Sequence, residues 1–180
     1  LGAVLPDGQI ADPATAMVEC IDALRESYEG ATAEGKAVGI ASFLKNSGVG
    51  VGIPDISRCI LSVEGGKVHI RTSAACIGQG LATVTTQIVC ETTGLAADLI
   101  VAEPPDTRRT PDAGTTTASR QTVFTGESTR RAALLLRTEL DAVGSLAGLE
   151  GREFYAEYGS DTDPMGSYKP NPVSHVAYGY

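Results

Sequence analysis

No stretch of this 180-residue sequence is apolar for long enough to cross a bilayer. The longest apolar run, Ala37 to Leu44, is interrupted by Gly39 and Ser42 and falls far short of the roughly 20 residues a span needs. Cationic charge is scarce as well: 14 Lys and Arg stand against 22 Asp and Glu, a net charge of −8. A chain of that balance lacks the basic footprint of a phosphate-backbone binder, so neither nucleic acid nor a membrane is an expected partner. The four cysteines, Cys20, Cys59, Cys76 and Cys90, show no Cys-x-x-Cys spacing, and there are only two histidines. Neither a structural zinc site nor a disulfide framework is indicated, and the expected compartment is reducing and cytoplasmic. A nucleophile elbow, a His-Glu-x-x-His helix and an Asp-rich calcium loop are all missing. No carboxylate pair stands out as an acid/base couple, so no catalytic residue and no metal ligand is assigned. His69 has no carboxylate or second histidine at useful sequence spacing, and Arg108-Arg109 reads as a solvated pair.

What is present describes a globular chain, 42% hydrophobic and 20% charged, long enough for one domain or two small lobes. Asp12-Pro13 opens a helix, with Met17, Ile21, Leu24 and Tyr28 forming a stripe expected to face a core and Gly30 ending the run. Lys36–Leu44 reads as a strand. Ile56–Val63 and Val68–Thr72 alternate around Glu64-Gly65-Gly66-Lys67, the best hairpin signal in the chain. A helix follows with Leu81, Val84 and Ile88 on one face and Gly94 as its stop, and then a short strand at Leu99–Ala102. A second long helix is clearest from about Ser128 to Gly144, and Arg152–Tyr158 is a further strand. The sequence opens on Leu1 and stops at Val173–Tyr180 in what reads like an entering strand, so a piece of something longer is expected. The order predicts an α+β fold, a two-layer mixed β-sheet with helices packed on one face. It is read as a single unit over 1–180, with a leading helix and linker at 1–34 and a main lobe at 35–180.

Two segments carry chemistry. Cys76-Ile77-Gly78-Gln79-Gly80 lies at a strand-to-helix junction, where glycines let the backbone turn sharply and approach a ligand. The first-turn amides of the helix behind it favour an anion, and Gln79 carries both a donor and an acceptor. A tight turn with no ligand is the alternative. The second segment is Thr107–Thr129, in which ten of 23 residues are Ser or Thr. There Thr115-Thr116-Thr117-Ala118-Ser119 leads to Gln121 and Thr122 at a helix start, where hydroxyls either cap the helix or grip phosphate oxygens. The Gly-rich Gly48–Asp55 segment lacks the spacing of a nucleotide-binding loop and is assigned no chemistry.

The ordered combination of these segments resembles the molybdenum-binding large subunit of the xanthine dehydrogenase and aldehyde oxidase family, the molybdenum hydroxylases. Gly52-Ile53-Pro54-Asp55, Ile77-Gly78-Gln79-Gly80-Leu81, Thr116-Thr117-Ala118-Ser119-Arg120-Gln121-Thr122 and Pro172-Val173-Ser174-His175 carry the likeness, which runs from Asp12 to Tyr180. The resemblance implies a molybdenum cofactor-binding domain-like fragment holding molybdopterin, as the cytosine dinucleotide in many bacterial members. By motif, Gly78, Gln79 and Gly80 contact the pterin or its phosphates, and Thr116, Thr117, Ala118, Ser119, Gln121 and Thr122 line the same cofactor. The implied reaction is oxidative hydroxylation of a purine-like heterocycle or an aldehyde by an oxidoreductase. Its expected partners are the remaining lobes of the subunit and iron-sulfur and FAD subunits or domains. The fragment alone is expected to be inactive and to self-associate. Cys76, where many relatives carry an acidic residue, is read as a small core filler. A non-catalytic anion- or partner-binding module is the alternative function.

Overall fold

The computed structural model describes residues 16–43, 45–49, 52–160 and 177–179. Two compact units divide the chain, one spanning Ile53–Asp161 and the other drawn from Leu1–Gly52 and Thr162–Tyr180.

The larger unit is built on a four-stranded sheet of order β4-β3-β2-β5, with β2 at Asp55–Glu64, β3 at Lys67–Arg71, β4 at Ile100–Ala102 and β5 at Glu153–Ser160. β2 and β3 form the predicted hairpin, registered from Ile60 opposite Arg71 to Glu64 opposite Lys67. β4 runs parallel to β3, which requires a crossover; helix α2, Leu81–Thr93, supplies it. β5 returns antiparallel along β2 from Asp55 to Ser62. Helix α3, Gln121–Val143, packs against α2, β2 and β5. The sheet is therefore mixed, with both helices on one face, as the sequence predicts.

Period-2 alternation decides which side chains face the helices. In β2, Cys59, Leu61 and Val63 point into the core with Val68 and Ile70 of β3 and Phe154 and Ala156 of β5. Val89 of α2 and Ala132, Ala133 and Leu136 of α3 close it from the helix side. The buried face of α2 is Leu81, Thr85, Val89 and Thr93, rotated from the Leu81–Val84–Ile88 face expected. The threonines are tolerated inside because each hydroxyl donates to a carbonyl one turn back: Thr85 to Leu81 O at 3.0 Å and Thr93 to Val89 O at 2.7 Å. A Cβ on Gly126 of α3 would lie 3.1 Å from Ile88 Cδ1, so a glycine there lets the two helices approach. α3 begins at Gln121, about two turns before the apolar periodicity becomes clear at Ser128. Its first turns bury Gln121, Thr125 and Ser128 instead of aliphatic residues.

The opposite face of the sheet is polar. Arg71, 3% exposed, reaches Glu103 beyond β4 at 3.1 Å, Glu64 on β2 at 2.5 Å and Glu153 on β5 at 3.0 Å. Because Glu153 pairs opposite Ser62, the Arg71 side chain must cross β2 to reach it. Ser62 is buried on this face and, among the described residues, has the one buried side-chain oxygen without a hydrogen-bond partner.

In the smaller unit, α1 spans Met17–Ala33, continuing past the expected stop at Gly30, and buries no residue. Ile21, Leu24 and Tyr28 are 39%, 53% and 42% exposed, so the stripe expected to face a core does not do so here. The strand expected at Lys36–Leu44 is irregular over 36–43: among the described residues no strand pairs with it, and a lone strand leaves its amides unsatisfied. Short strands β1, Lys45–Ser47, and β6, Ala177–Gly179, pair antiparallel, which agrees with the strand read at the end of the sequence. Asp12, Pro13 and residues 161–176, His175 among them, lie outside the described residues. No described helix is long and apolar enough to cross a membrane.

Leu61 is fully buried at the centre of the sheet, so Leu61→Ala should lower unfolding free energy by about 2–5 kcal/mol in urea denaturation. Burial raises the Glu103 carboxyl, but the Arg71 hydrogen bond and charge outweigh it and hold the group below the usual glutamate range. Stability from this carboxylate is complete above the ordinary value of about 4.3 and is lost as pH falls through the depressed value. Glu103→Gln should therefore flatten the fall in urea midpoint between pH 5 and pH 3; an unchanged acid slope would contradict this.

Candidate functional site

The two sequence segments meet at one end of the larger unit. Ala75–Gly80 follows β3 and opens α2; Thr115–Arg120 opens α3. The Thr116 hydroxyl donates to Ala75 O at 2.8 Å, tying one loop to the other. Between them lies a cavity of about 510 Å³ lined by Ile77, Gln79 and residues 116–122. Of the predicted site residues, Gln79, Thr116, Thr117, Ala118, Ser119, Gln121 and Thr122 line it, whereas Gly78 and Gly80 do not. The glycines set the loop's path instead, at φ +107° and +76°, with open space where a Cβ would stand.

Several of the lining side chains also hold the loops. Gln79 closes its own turn: its Oε1 accepts from Ile77 N at 2.6 Å and its Nε2 donates to Ala75 O at 3.2 Å. Gln121, buried, donates to Thr116 Oγ1 at 2.8 Å and accepts from the Thr125 hydroxyl. Thr125 also shares a buried 2.7 Å hydrogen bond with Ser57 of β2. Thr117, Ser119 and Thr122 stay exposed. Ordinary helix capping by the hydroxyl cluster is not what the structure has, since neither α2 nor α3 receives a side-chain cap. The first-turn amides of α3 therefore carry no side-chain cap, whereas at the start of α2 the Leu81 amide is turned to the Cys76 sulfur.

Arg120 is the sole cation lining the cavity, yet its guanidinium is turned inward and 2% exposed. It ion-pairs with Asp55, which is equally buried at the first position of β2. It also donates to Ala113 O at 2.9 Å, Thr115 O at 3.0 Å and Ile56 O at 2.8 Å. Alternation along β2 carries Asp55 onto the helix-facing side, which is why it meets the start of α3. No local sequence signal joins the pair, since its members are 65 residues apart. The cavity therefore offers an anion hydroxyls and amides and no free charge, a donor set suited to a large phosphorylated heterocycle.

A second cavity of about 410 Å³ lies beside the same loop, lined by Ala75, Cys76, Leu81, Ala82, Thr85 and Pro104–Pro105 among others. Cys76 is exposed, not the core filler expected. Hydrogen bonding from the Gly78 amide, with help from Leu81 and Gly80, holds its thiol below the usual range. Cys59, by contrast, is fully buried, and burial pushes its thiol up to about 12. On the polar sheet face, Glu64, His69 and Glu103 bring three ligand-type atoms within 4.8 Å of one another. The position a metal would take is met by the Arg71 guanidinium, 2.5 Å from Glu64 and 3.4 Å from Glu103. His69 Nδ1 lies 2.9 Å from Glu103, a carboxylate that the parallel β3–β4 register supplies from 34 residues away. Arg109, expected to be solvated, is half-exposed and pairs with Glu64 and Glu103 at 3.5 Å.

The thiolate, which is the reactive form, is easier to reach at Cys76 than at an unperturbed thiol and is suppressed at Cys59. Iodoacetamide at limiting dose should alkylate Cys76 while leaving Cys59 unmodified in the folded protein; peptide mass spectrometry showing equal labelling would refute the assignment.

Residues 16–165 match the family model of the molybdopterin cofactor-binding domain. The xanthine dehydrogenase molybdenum-binding subunit of Escherichia coli O157:H7 is 35% identical over 109 residues, covering 59% of this chain and 14% of the relative. The 6-hydroxypseudooxynicotine dehydrogenase complex subunit gamma of Paenarthrobacter nicotinovorans is 33% identical over 102 residues, 57% of this chain and 13% of the relative. The chain thus spans about a seventh of the length of these curated relatives. Among solved structures, the aldehyde oxidoreductase of Desulfovibrio desulfuricans ATCC 27774 superposes with a TM-score of 0.71 at 19% identity, over 92% of this chain and 20% of its own. A Cu,Mo-CO dehydrogenase does so at 0.60 and 18%, over 94% and 28%. These structural likenesses establish the α+β fold. With a family match over most of its length, the chain belongs to the molybdopterin cofactor-binding domains of the molybdenum hydroxylases.

Proposed function

We propose that this chain forms one wall of the cofactor site in a molybdenum hydroxylase large subunit that oxidatively hydroxylates a purine-like heterocycle or an aldehyde. The observation that carries the reading is the cavity where the Gly-Gln-Gly and Thr-Ala-Ser-Arg segments meet, lined by neutral donors and flanked by an uncapped helix start. Bound there, the molybdenum cofactor supplies a two-electron acceptor for hydroxylation with oxygen drawn from water.

The chain's own residues hold and orient it. The exposed hydroxyls of Thr117, Ser119 and Thr122 and the first-turn amides of α3 face the cavity as donors to phosphate or pterin oxygens. Ala118, without a polar group, leaves a close approach open. Gln79, Gly78 and Gly80 present the facing loop, while Thr116 and Gln121 fix its distance from the threonine segment. A dinucleotide form such as molybdopterin cytosine dinucleotide suits a site with many neutral donors, because an acidic protein has few cations to offer its phosphates. The remaining lobes of the subunit and iron-sulfur and FAD partners complete the electron path in this reading. Four unpaired cysteines agree with a reducing, cytoplasmic setting.

The test is the molybdenum and pterin content of the complete gene product, purified from a host that makes the cofactor. The parent should carry both near stoichiometry, and Gln79→Ala with Ser119→Ala should lower both at least fivefold while the protein stays folded. A folded parent free of metal and pterin would overturn the proposal in favour of a non-catalytic anion- or partner-binding module.

A further inference from the structure

The structure assigns a positioning role to the buried Asp55–Arg120 pair: it holds the threonine loop in the shape that receives the cofactor. The inference rests on the function proposed above and concerns two residues that stand outside the contact set. Arg120 touches three carbonyls with one guanidinium, those of Ile56 at the start of β2 and of Ala113 and Thr115 in the loop. Asp55 supplies the charge that lets the group stay buried. Gly114, between the two loop carbonyls, sits at φ +70°, and a Cβ there would stand 3.1 Å from Ile56 O and 3.2 Å from Arg120 Nη1. Only a glycine lets the loop pass this close to the pair.

Beyond that anchor the backbone does something costly. Ala118 and Ser119 are both left-handed, at φ +48° and +52°, and among the described residues they are the only non-glycines at positive φ. Such a turn persists where its surroundings over-determine it. Its surroundings are the Arg120 side chain on Thr115 O, the Arg120 N–H on Thr117 O at 3.1 Å, and Thr116 tied to Ala75. Two of the three run through Arg120 itself, and the third fixes the other end of the same segment. The left-handed pair lines the cavity, so the anchor and the ligand-facing turn are two ends of one short segment. Saturating the guanidinium also removes the site's one cation from the ligand, leaving recognition to neutral groups.

Arg120→Lys separates positioning from simple stability, since it keeps a charge for Asp55 but cannot span the three carbonyls. In the complete gene product, the variant should melt within a few degrees of the parent. Hydrogen exchange at residues 115–122, measured on protein made in a host lacking the cofactor, should quicken at least tenfold. Pterin content from a cofactor-making host should fall at least fivefold. If Arg120→Lys does not fold, Gly114→Ala, which leaves both charged groups in place, should give the same pattern. A folded variant with parental exchange overturns the inference, whether it keeps its pterin or loses it, and so does quickened exchange with full pterin retention. A parent without pterin overturns the proposed function together with this inference, an outcome recognisable before any variant is made.

Discussion

A guanidinium taken out of water must find a full set of acceptors, and Arg120 finds them in Asp55 and three backbone carbonyls. Much of the site's geometry follows from that requirement. It joins the first residue of β2 to the first turn of α3, so the loop before the helix is registered against the sheet and not merely tethered to its own helix. It demands a glycine at 114 and supports the left-handed Ala118-Ser119 turn. Arg71 answers the same requirement on the other face of the sheet, where three glutamates receive it. Each face of β2 thus carries one buried arginine whose partners come from distant parts of the chain.

In the proposed function an acidic protein holds a phosphorylated group without repelling it, and the cavity displays no free cation. Its single arginine at the cavity is internally neutralised, and its carboxylates at the polar sheet face are drawn into Arg71 and Arg109. What faces the cavity is uncharged: hydroxyls and amides. Neutral donors hold an anion by direction as much as by strength, so their worth depends on how firmly the loops are set.

Much of this was legible in the sequence where the information is local. The Glu64–Lys67 turn fixed the hairpin register, Gly94 and Gly144 adopt the left-handed conformation that ends their helices, and the two cavity-lining segments stand out as compositional anomalies at helix starts. The misses have physical causes. The face of α2 was misread because its buried threonines look polar until their hydroxyls are seen satisfied within the helix. The start of α3 was placed late because its first turns bury Gln121 and Thr125 against Ser57. The stripe on α1 is regular in sequence, but periodicity shows only that a face is apolar, not what covers it. Asp55 with Arg120 and His69 with Glu103 are pairings made by strand register and topology, which no local window contains.

The pairing of β2 with β5 also sets a clock. Ser62 opposes Glu153, and Asp55 opposes Ser160, so one side of β2 waits for about a hundred further residues to be synthesised before it has a partner. At roughly 5–20 residues per second that is an interval on the order of 5–20 s. During it, β2 and β3 can zip into their hairpin and α2 can fold over them, but the outer edge of β2 stays open with Leu61 and Cys59 still lacking Phe154 and Ala156 beside them. An unpaired edge flanked by exposed apolar side chains is the usual template for unwanted strand addition. Biosynthesis of this domain therefore passes through an obligatory window of vulnerability, placed by topology rather than by any weakness in the finished core.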